Sequence, residues 1–284
     1  KEKCLNNISK MSEIARRNNL IFRPHFKTHQ SVAIGRWFAY YGVDAITVSS
    51  VDMAVKFAQD GWHDITIAFP LNINEIDAIN NLAREITLNL TLLNKESINS
   101  LNKHLHYDVG IFIKIDTGNK RTGIPHENIE EILQLKENIS EAPKLHLKGL
   151  LTHAGHTYQA TSAEEIKKIH SETRDRLVGI RNQIVKENEN IIISVGDTPA
   201  SIVTDDFEGI QEIRPGNFVF FDVKQYKLNV CSQEDIAVCL ACPVVAKHPE
   251  RNEIIIYGGA VHFSKDLFIE DDRPIYGYGV LLTD

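Results

Sequence analysis

Residues 109–152 read VGIFIKIDTGNKRTGIPHENIEEILQLKENISEAPKLHLKGLLT. The stretch opens and closes on apolar runs, Val109–Ile115 and Leu145–Thr152, and Glu127–Asn138 between them carries apolar residues at helical spacing. Near-continuous apolar runs are typical of parallel strands that are buried on both faces. The stretch therefore predicts a strand–helix–strand unit.

The same unit repeats along most of the chain. Further apolar runs predict strands at Leu20–Phe26, Ala45–Ser49, Asp64–Phe69, Thr87–Leu93, Ile191–Val195 and Phe218–Phe221. Helical patterns lie between the runs, as at 72–85 and 162–186, and Gly61 suits the position after a helix. Eight strands with seven helical stretches predict an α/β fold of the (β/α)8 TIM-barrel type. A doubly wound sheet would show a glycine-rich turn after its first strand, where this chain has RPHFKTH.

The pattern changes after about residue 225. Ile236–Ala246 and Glu253–Tyr257 read as strands without a helix between them, and Arg251-Asn252 reads as a hairpin turn. A length of 284 residues favours two domains, at about 150 residues per domain. We predict a barrel over residues 1–225 and part of a small, incomplete β domain over 226–284.

Composition narrows the function classes. With 43% hydrophobic and 24% charged residues, the chain is typical of a globular protein and not of a disordered one. A net charge of −7 without a dense basic stretch argues against nucleic acid as a partner. No apolar run approaches the roughly 20 residues of a membrane-spanning helix, and no signal peptide is recognisable. Four cysteines fit a reducing compartment, so we expect a cytoplasmic protein with no membrane partner.

Lys27 ends the first predicted strand. Because the carboxyl ends of barrel strands face the active-site mouth, this lysine is placed to act as a Schiff-base nucleophile if burial or nearby cations lower its pKa. His25, His29 and Arg23 are expected to supply local positive character. The alternative is a lysine that merely leaves the strand for solvent.

Two further loops follow the fifth and sixth strands. DTGNKRTG, residues 116–123, has glycines for a tight turn, and Arg121 can point its donors into the mouth; an ordinary polar turn is the alternative. His153, His156 and Tyr158 can contact a ring or relay protons. A metal site there lacks a third nearby ligand.

The loop after the seventh strand and the segment before the predicted eighth strand suggest an anion site. Gly196 allows the backbone to approach a ligand, and Asp197 or Thr198 can cap a short helix with Pro199 in its first turn. Residues 214–217 (RPGN) offer further amides. Because barrel phosphate sites are built from these two loops, we expect a phosphate here.

The CxxC of Cys239 and Cys242 lies in a predicted apolar strand. Their side chains would point to opposite faces of a regular strand, so we interpret both as small core residues. Cys231 lies close in sequence, which leaves a zinc site open as the weaker alternative.

Several of these stretches together resemble one known family. RPHFKTHQ, IDTGNKRTG, LLTHAGHTY, SVGDTPAS and EIRPGNFVFFD, followed by GGAVHFSKD at 258–266, resemble the D-threonine aldolase and D-serine dehydratase family. This family belongs to the fold-type III pyridoxal-phosphate (PLP) enzymes, which have an alanine racemase-like N-terminal barrel. The resemblance runs from about residue 5 to the end of the chain.

The resemblance implies PLP as the cofactor, with Lys27 as the catalytic Schiff-base lysine. It also implies that three residues contact the pyridine ring or its surroundings and that four hold the phosphate: Arg121, His153 and Tyr158, and then Gly196, Thr198, Gly216 and Asn217. Asp197 stands where the family usually has Ser or Thr, so we expect it to point away from the phosphate or to cap the helix. Phe218 stands where a Tyr is common.

The activity implied is that of a lyase on D-β-hydroxy amino acids, with an aldolase ahead of a dehydratase. The alternatives are an amino-acid racemase, a non-catalytic PLP-binding protein, or a barrel enzyme that uses a phosphorylated substrate without PLP. A homodimer is expected. The chain starts inside the family's first helix and stops before its usual metal pair. We therefore assign no metal ligand and expect a divalent metal (Zn or Mn) to be bound by residues beyond this C-terminus.

Overall fold

The computed structural model of the chain describes residues 1–187, 189–259, 261–264, 269–270, 273–274 and 279–280. Its helices are α1 (Glu2–Arg17), α2 (Val32–Ala39), α3 (Val51–Gln59), α4 (Ile76–Glu85), α5 (Lys95–His104), α6 (Ile129–Glu141), α7 (Ala163–Ile184), α8 (Thr198–Val203) and α9 (Val223–Lys227). Its strands are β1 (Ile21–Phe22), β2 (Ala45–Val48), β3 (Asp64–Pro70), β4 (Thr87–Leu92), β5 (Val109–Asp116), β6 (Ile124–Pro125), β7 (Leu145–Leu151), β8 (Ile192–Val195), β9 (Glu212–Ile213), β10 (Val244–His248), β11 (Glu253–Ile256), β12 (Ile269–Glu270) and β13 (Arg273–Pro274).

Eight parallel strands form a barrel. From β2 the strands pair in the order β2, β3, β4, β5, β7, β8, β9 and β1, and a parallel bridge between His25 and Thr47 connects β1 back to β2. The short strand β6 pairs with the end of β5. The predicted (β/α)8 barrel is therefore confirmed, and the carboxyl ends of its strands share one face of the molecule.

The helices between the strands follow from local sequence signals. Ser162 accepts a hydrogen bond from the Glu165 amide and starts α7, which buries Leu177 and Ile180 against the barrel. Gly61 follows α3 with φ of 95°, as predicted for the residue after a helix. Apolar side chains of these helices and of the strands form one continuous core.

The predicted eighth strand is wrong in position. The strand that completes the barrel is Glu212–Ile213, whereas Phe218 and Val219 lie in a 3-10 helix buried against α1. A short apolar run has the same pattern whether it forms a buried strand or a buried turn. As a consequence, Arg214–Asn217 follows the last strand and lies at the carboxyl end of the barrel.

The predicted strand Ile236–Ala246 is also shorter than expected. Residues 237–243 form no regular element, and β10 begins at Val244. It pairs with β11 as an antiparallel hairpin, whose turn has Asn252 in the left-handed region with φ of 53°. β12 and β13 form a second antiparallel pair. The domain boundary near residue 225 stays a prediction.

The core assignment of the CxxC pair is wrong. Cys239 is exposed, and Cys242 is half-buried. Cys231 is half-buried and packs against the core, and burial raises the pKa of its thiol to about 12. In the GGAVHFSKD motif, three residues lie outside the described part of the chain: Ala260, Lys265 and Asp266.

Candidate active site

The site is centred on the loop after β1. Lys27 lies in a 3-10 helix, Phe26–Thr28, in which His25 Nδ1 accepts a hydrogen bond from the Lys27 amide. The His25 amide donates to the carbonyl oxygen of Pro215 at 2.9 Å. A methyl group at Gly216 would lie 2.8 Å from the carbonyl oxygen of His25, so only glycine permits this approach. The loop after β9 therefore packs directly against the loop that carries Lys27.

The ammonium group of Lys27 is destabilised where it stands. The residue keeps access to solvent, yet partial desolvation lowers the pKa of its amine, and the charges of Arg121 and Arg214 lower it further. A larger fraction of an amine with a lowered pKa is uncharged and nucleophilic near neutral pH. The cations that act on Lys27 are thus Arg121 and Arg214.

Two buried cations in the site, Lys114 and Arg214, were not predicted as charges from the sequence. Lys114 on β5 is buried; burial, and then the charges of Arg214, Arg121 and Lys27, lower its pKa to about 7. Its Nζ donates to the carbonyl oxygen of Ala68 at 3.3 Å. Arg214 is buried too, and burial lowers its pKa to about 10. A lysine inside the apolar run IFIKI was the signal available for Lys114.

His153 and Tyr158 lie on the loop after β7, with ring centroids 6.3 Å apart. His153 Nδ1 contacts the carbonyl oxygen of Gly196, which can only accept, so Nδ1 carries the proton and Nε2 is free to accept. Burial lowers the pKa of His153 to about 3, and the imidazole is neutral. The Tyr158 hydroxyl accepts from the Thr198 amide at 3.2 Å, and burial raises its pKa to about 12.

Asp197 caps α8 and points into the protein, as expected for a carboxylate in this position. It accepts from the Ala200 amide at 2.8 Å and from Thr157 Oγ1 at 2.9 Å. Burial raises its pKa to about 6. Its carboxylate thereby fastens the loop after β7 to the start of α8.

The four predicted phosphate residues lie on the adjacent loops after β8 and β9. A methyl group at Gly196 would lie 3.0 Å from the carbonyl oxygen of Arg214, and Thr198 Oγ1 accepts from the Phe218 amide at 3.2 Å. Asn217 Nδ2 donates to Asp222 Oδ2 at 2.9 Å, whereas the buried Asn217 Oδ1 has no partner among the described residues. These contacts bring the two loops together beside Gly216.

Arg121 lies on the loop after β5 and is exposed. Asp116 Oδ1 accepts from the amides of Gly118 and Lys120, at 2.9 and 3.1 Å, and shapes this loop. Arg176 of α7 braces it by donating to the carbonyl oxygen of Thr117 at 2.6 Å. The charge of Arg121 lowers the pKa of Lys27 and of Lys114, as well as that of His153.

The expected positive character of Arg23, His25 and His29 is wrong. Burial lowers the pKa of His25 well below its ordinary value and that of His29 to about 4, so both imidazoles are neutral. Arg23 turns to the opposite end of the barrel, where it binds Glu212 and Asp64. The charge near Lys27 comes instead from Arg121, Arg214 and Lys114.

His156, the remaining histidine of its loop, lies near Gly118 and Arg176, and its Nδ1 has no partner among the described residues. In the described ranges no three His, Cys, Asp or Glu side chains lie close enough to hold a metal ion. A groove of about 430 Å³ between α7 and the end of α8, and a cavity of about 250 Å³ beside β3 and β4, are lined by other residues than Lys27. The candidate site is therefore identified by its basic residues and not by the volume of a cavity.

Of the helices described, none has the length and apolar character that crossing a bilayer requires.

The chain is similar in sequence to proteins that contain an alanine racemase N-terminal domain. The family model described as the alanine racemase N-terminal domain matches residues 2–224. A D-serine dehydratase of Dictyostelium discoideum is 27% identical over 309 residues, which cover 98% of this chain and 76% of the relative. A D-threo-3-hydroxyaspartate dehydratase of Delftia sp. is 25% identical over 278 residues, covering 96% of this chain and 73% of the relative.

Solved structures share the fold. The structure of the Delftia dehydratase matches with a TM-score of 0.85 at 24% identity, covering 94% of this chain and 71% of that chain. A D-threonine aldolase from Filomicrobium marinum matches with a TM-score of 0.76 at 18% identity, covering 87% and 68%. The barrel and its loops are thus built on a known architecture.

Proposed function

The chain belongs to the family of the alanine racemase N-terminal domain, and from that premise we propose that it is a PLP-dependent lyase of D-amino acids with a 3-hydroxyl group. Lys27 would hold the cofactor covalently. The observation that carries the proposal is the group of basic residues around Lys27 at the carboxyl ends of the barrel strands, in which the charges of Arg121 and Arg214 lower the pKa of Lys27 and Lys114.

The charge of these residues fits an anionic cofactor. Lys27, Lys114 and Arg214 make no direct ion pair with a carboxylate among the described residues, and Arg121 makes none either. The nearby Asp197 is committed to the α8 cap and to Thr157. A phosphate dianion would supply the missing negative charge.

The loops after β8 and β9 are the proposed phosphate holders. Gly196 and Gly216 allow close backbone packing here, Thr198 lies two residues after Gly196, and Asn217 follows Gly216 directly. Tyr158 and His153 would flank the ring, since both side chains are fixed by contacts to the loop after β8. Arg121 would reach the same group from the loop after β5.

When bound, PLP supplies an electron sink for the bond that breaks at the substrate Cα. Lys27 Nζ, with its lowered pKa, is better suited than an ordinary lysine to accept and return a proton. Lys114 Nζ has a pKa of about 7 and can hold a proton in the same region. The Tyr158 hydroxyl keeps its proton, because its pKa lies at about 12, and orients groups without changing charge.

Between the two lyase reactions we propose the dehydratase. The relatives that cover nearly all of this chain are dehydratases of D-serine and of D-threo-3-hydroxyaspartate, which reverses the order expected from the sequence. The aldolase is the second candidate, because the Filomicrobium aldolase shares the fold. A divalent metal bound outside the described residues stays part of the proposal.

The experiment is an absorbance titration of the purified chain with PLP, followed by product analysis. We expect a lysine–cofactor band that is absent from Lys27→Ala, and release of ammonia and a keto acid from D-serine or D-threo-3-hydroxyaspartate. Lys56→Ala removes an exposed lysine that binds the Gln30 carbonyl and serves as the matched control. Each assay is run with and without a chelator, which tests the metal.

The outcomes separate the candidates. Glycine and acetaldehyde from D-threonine would assign the aldolase, and inversion at Cα without fragmentation would assign the racemase. A band without turnover of any of these amino acids would assign the non-catalytic PLP-binding protein. Absence of any band from the unmodified chain would refute the proposed cofactor.

A further inference from the structure

A series of buried hydrogen bonds links Arg214 to the opposite end of the barrel. Arg214 Nε donates to Ser194 Oγ at 2.6 Å, and Ser194 Oγ lies 2.6 Å from Glu212 Oε1. Because an arginine side chain has donors only, the Ser194 hydroxyl accepts from Arg214 and gives its single proton to Glu212. Ser194 therefore bridges a cation and an anion that make no direct ion pair.

Glu212 is itself held in place. Its Oε2 accepts from Arg23 Nε at 2.7 Å, and Arg23 binds both carboxylate oxygens of Asp64, at 2.6 and 3.0 Å. The side chain of Glu212 is fully buried. Moving it toward Arg214 would leave the buried Arg23 with Asp64 as its remaining acidic partner. The Ser194 hydroxyl thus joins Glu212 to Arg214 by hydrogen bonds, beside the direct charge interaction between the two residues.

The position of Arg214 matters to the rest of the site. Its charge lowers the pKa of Lys27 and Lys114, and that of His153 as well. Its Nη2 donates to the carbonyl oxygen of Thr152, and Nη1 has no acceptor in the described part of the chain. Charge interactions of this kind fall with distance, so a displaced guanidinium would perturb Lys27 less.

We propose that Ser194, anchored by Glu212, is a positioning residue that holds the Arg214 guanidinium where its charge acts on Lys27. This inference rests on the proposed function in one respect, namely that Lys27 is the amine that holds PLP. Ser194 lies inside the barrel and is fully buried. It acts through Arg214 and need not touch substrate or cofactor.

The test measures the Lys27 amine directly. The full chain is freed of cofactor with hydroxylamine, and the pH dependence of Lys27 acetylation by acetic anhydride is read by peptide mass spectrometry. Arg214→Gln is expected to raise the midpoint, because a nearby cation is lost. Ser194→Ala is expected to raise it part of the way. The double variant is expected to match Arg214→Gln, because the two residues act as one unit.

Controls separate positioning from a general loss of packing. Ser194→Thr keeps the hydroxyl and is expected to keep the unmodified midpoint. Thr91→Val removes another buried strand hydroxyl, which binds the Ile67 carbonyl, and is expected to leave the midpoint unchanged. If Ser194→Ala does not fold, Ser194→Cys takes its place, since a thiol is a weak donor. An unchanged midpoint in Ser194→Ala, or a shift that adds to that of Arg214→Gln, would overturn the proposal.

PLP affinity, measured separately by absorbance titration, distinguishes this inference from the proposed function. Ser194→Ala is expected to bind PLP about tenfold more weakly, as other supporting residues around bound groups do. A full chain that binds no PLP would refute the proposed function, and the acetylation series would still decide whether Ser194 positions Arg214.

Discussion

Two buried arginines of the barrel have opposite electrostatic environments. Burial alone would lower the pKa of Arg23, but Glu212 and Asp64 outweigh it and raise the pKa above its ordinary value. Arg214 lies on the other side of the same Glu212. Its pKa is lowered to about 10, because the effect of burial exceeds the effect of the Glu212 charge. One end of the barrel therefore has compensated charges, and the end with Lys27 has an excess of positive charge.

The two arginines therefore differ in role: the paired Arg23 supports the fold, and Arg214, which has no direct ion pair among the described residues, belongs to the candidate site. A buried charge with a well-placed partner holds neighbouring strands in position, and here Arg23 ties β1 to β3 and β9. A buried charge without such a partner lowers stability and persists where a ligand supplies the counter-charge. Variants at the two ends should therefore change stability in opposite directions.

The largest effect on stability is expected from Glu212→Gln, which removes the buried carboxylate that pairs with Arg23. The amide keeps the shape but leaves Arg23 with one partner and Arg214 without the anion behind Ser194. Breaking a buried pair costs about 3–5 kcal/mol, so the free energy of unfolding should fall by that amount in urea titrations.

Glu13→Gln is the matched control for this prediction. It removes an exposed partner of Arg16 on α1, and exposed pairs contribute little. Equal stability of the two variants would show that the Arg23–Glu212 pair does not hold the barrel.

Lys114→Met should act in the opposite direction. It removes a buried charge with a pKa of about 7 and keeps most of the volume, so the free energy of unfolding at pH 7 should rise by about 2 kcal/mol. The unfolded chain binds this proton up to the ordinary pKa of 10.5. The contribution of Lys114 to the stability of the unmodified chain therefore rises with pH between 7 and 10.5, and the advantage of the variant should shrink over that range.

Urea titrations at several pH values, on protein without PLP, check this prediction. Lys27 contributes a slope of the same sign, because its pKa is lowered too, and the difference between the chains isolates Lys114. A variant that is less stable at every pH would mean that the Ala68 contact outweighs the buried charge.

His29→Phe tests the neutral histidine beside the Lys27 loop. The ring packs on Phe26 and Phe38, and its pKa is lowered from 6.5 to about 4. Between these values the unfolded chain binds more protons, so stability is lost as pH falls, by up to about 1.4 kcal/mol per unit. The variant should show a smaller loss between pH 6.5 and 4.

Thermal unfolding across that pH range measures the slope. His153, with its pKa near 3, contributes to both chains, and Asp197, with its pKa raised to about 6, opposes it in both. At pH 7 to 8 the two chains should run parallel. Parallel curves down to pH 4 would show that His29 is not the group that titrates.

The sequence predicts the barrel well because its strands are apolar runs and its helices have clear caps. It misses β9, since Glu212 and Arg214 flank a single apolar residue, Ile213, and leave no run to detect. The strand is set by pairing with β1 and β8, which are distant in sequence. Strand pairing of this kind is decided by closure of the whole sheet.

The candidate site residues also divide into those with a local sequence signal and those that depend on contacts between distant residues. Lys27 and the loops after the strands can be proposed from the sequence because loop positions at strand ends are local features, and their roles stay predictions. The contribution of Lys114 depends on which face of β5 points inward, and the link between Ser194 and Glu212 joins residues 18 positions apart on neighbouring strands. Lys114 stands out only as a lysine inside an apolar run, and Ser194 has no local signal that separates it from an ordinary polar residue.

The smallest effect is expected at the rim of the proposed cofactor site, from Tyr158→Phe. The substitution keeps the ring and removes the hydroxyl that accepts from the Thr198 amide. A neutral hydrogen bond contributes about 1 kcal/mol, so PLP affinity should fall about fivefold, while the free energy of unfolding of the PLP-free chain changes by a similar small amount. Tyr40→Phe, at an exposed tyrosine after α2, should change neither. A hundredfold loss of affinity would instead give Tyr158 a direct bond to the cofactor, and an unchanged affinity would place the ring outside the site.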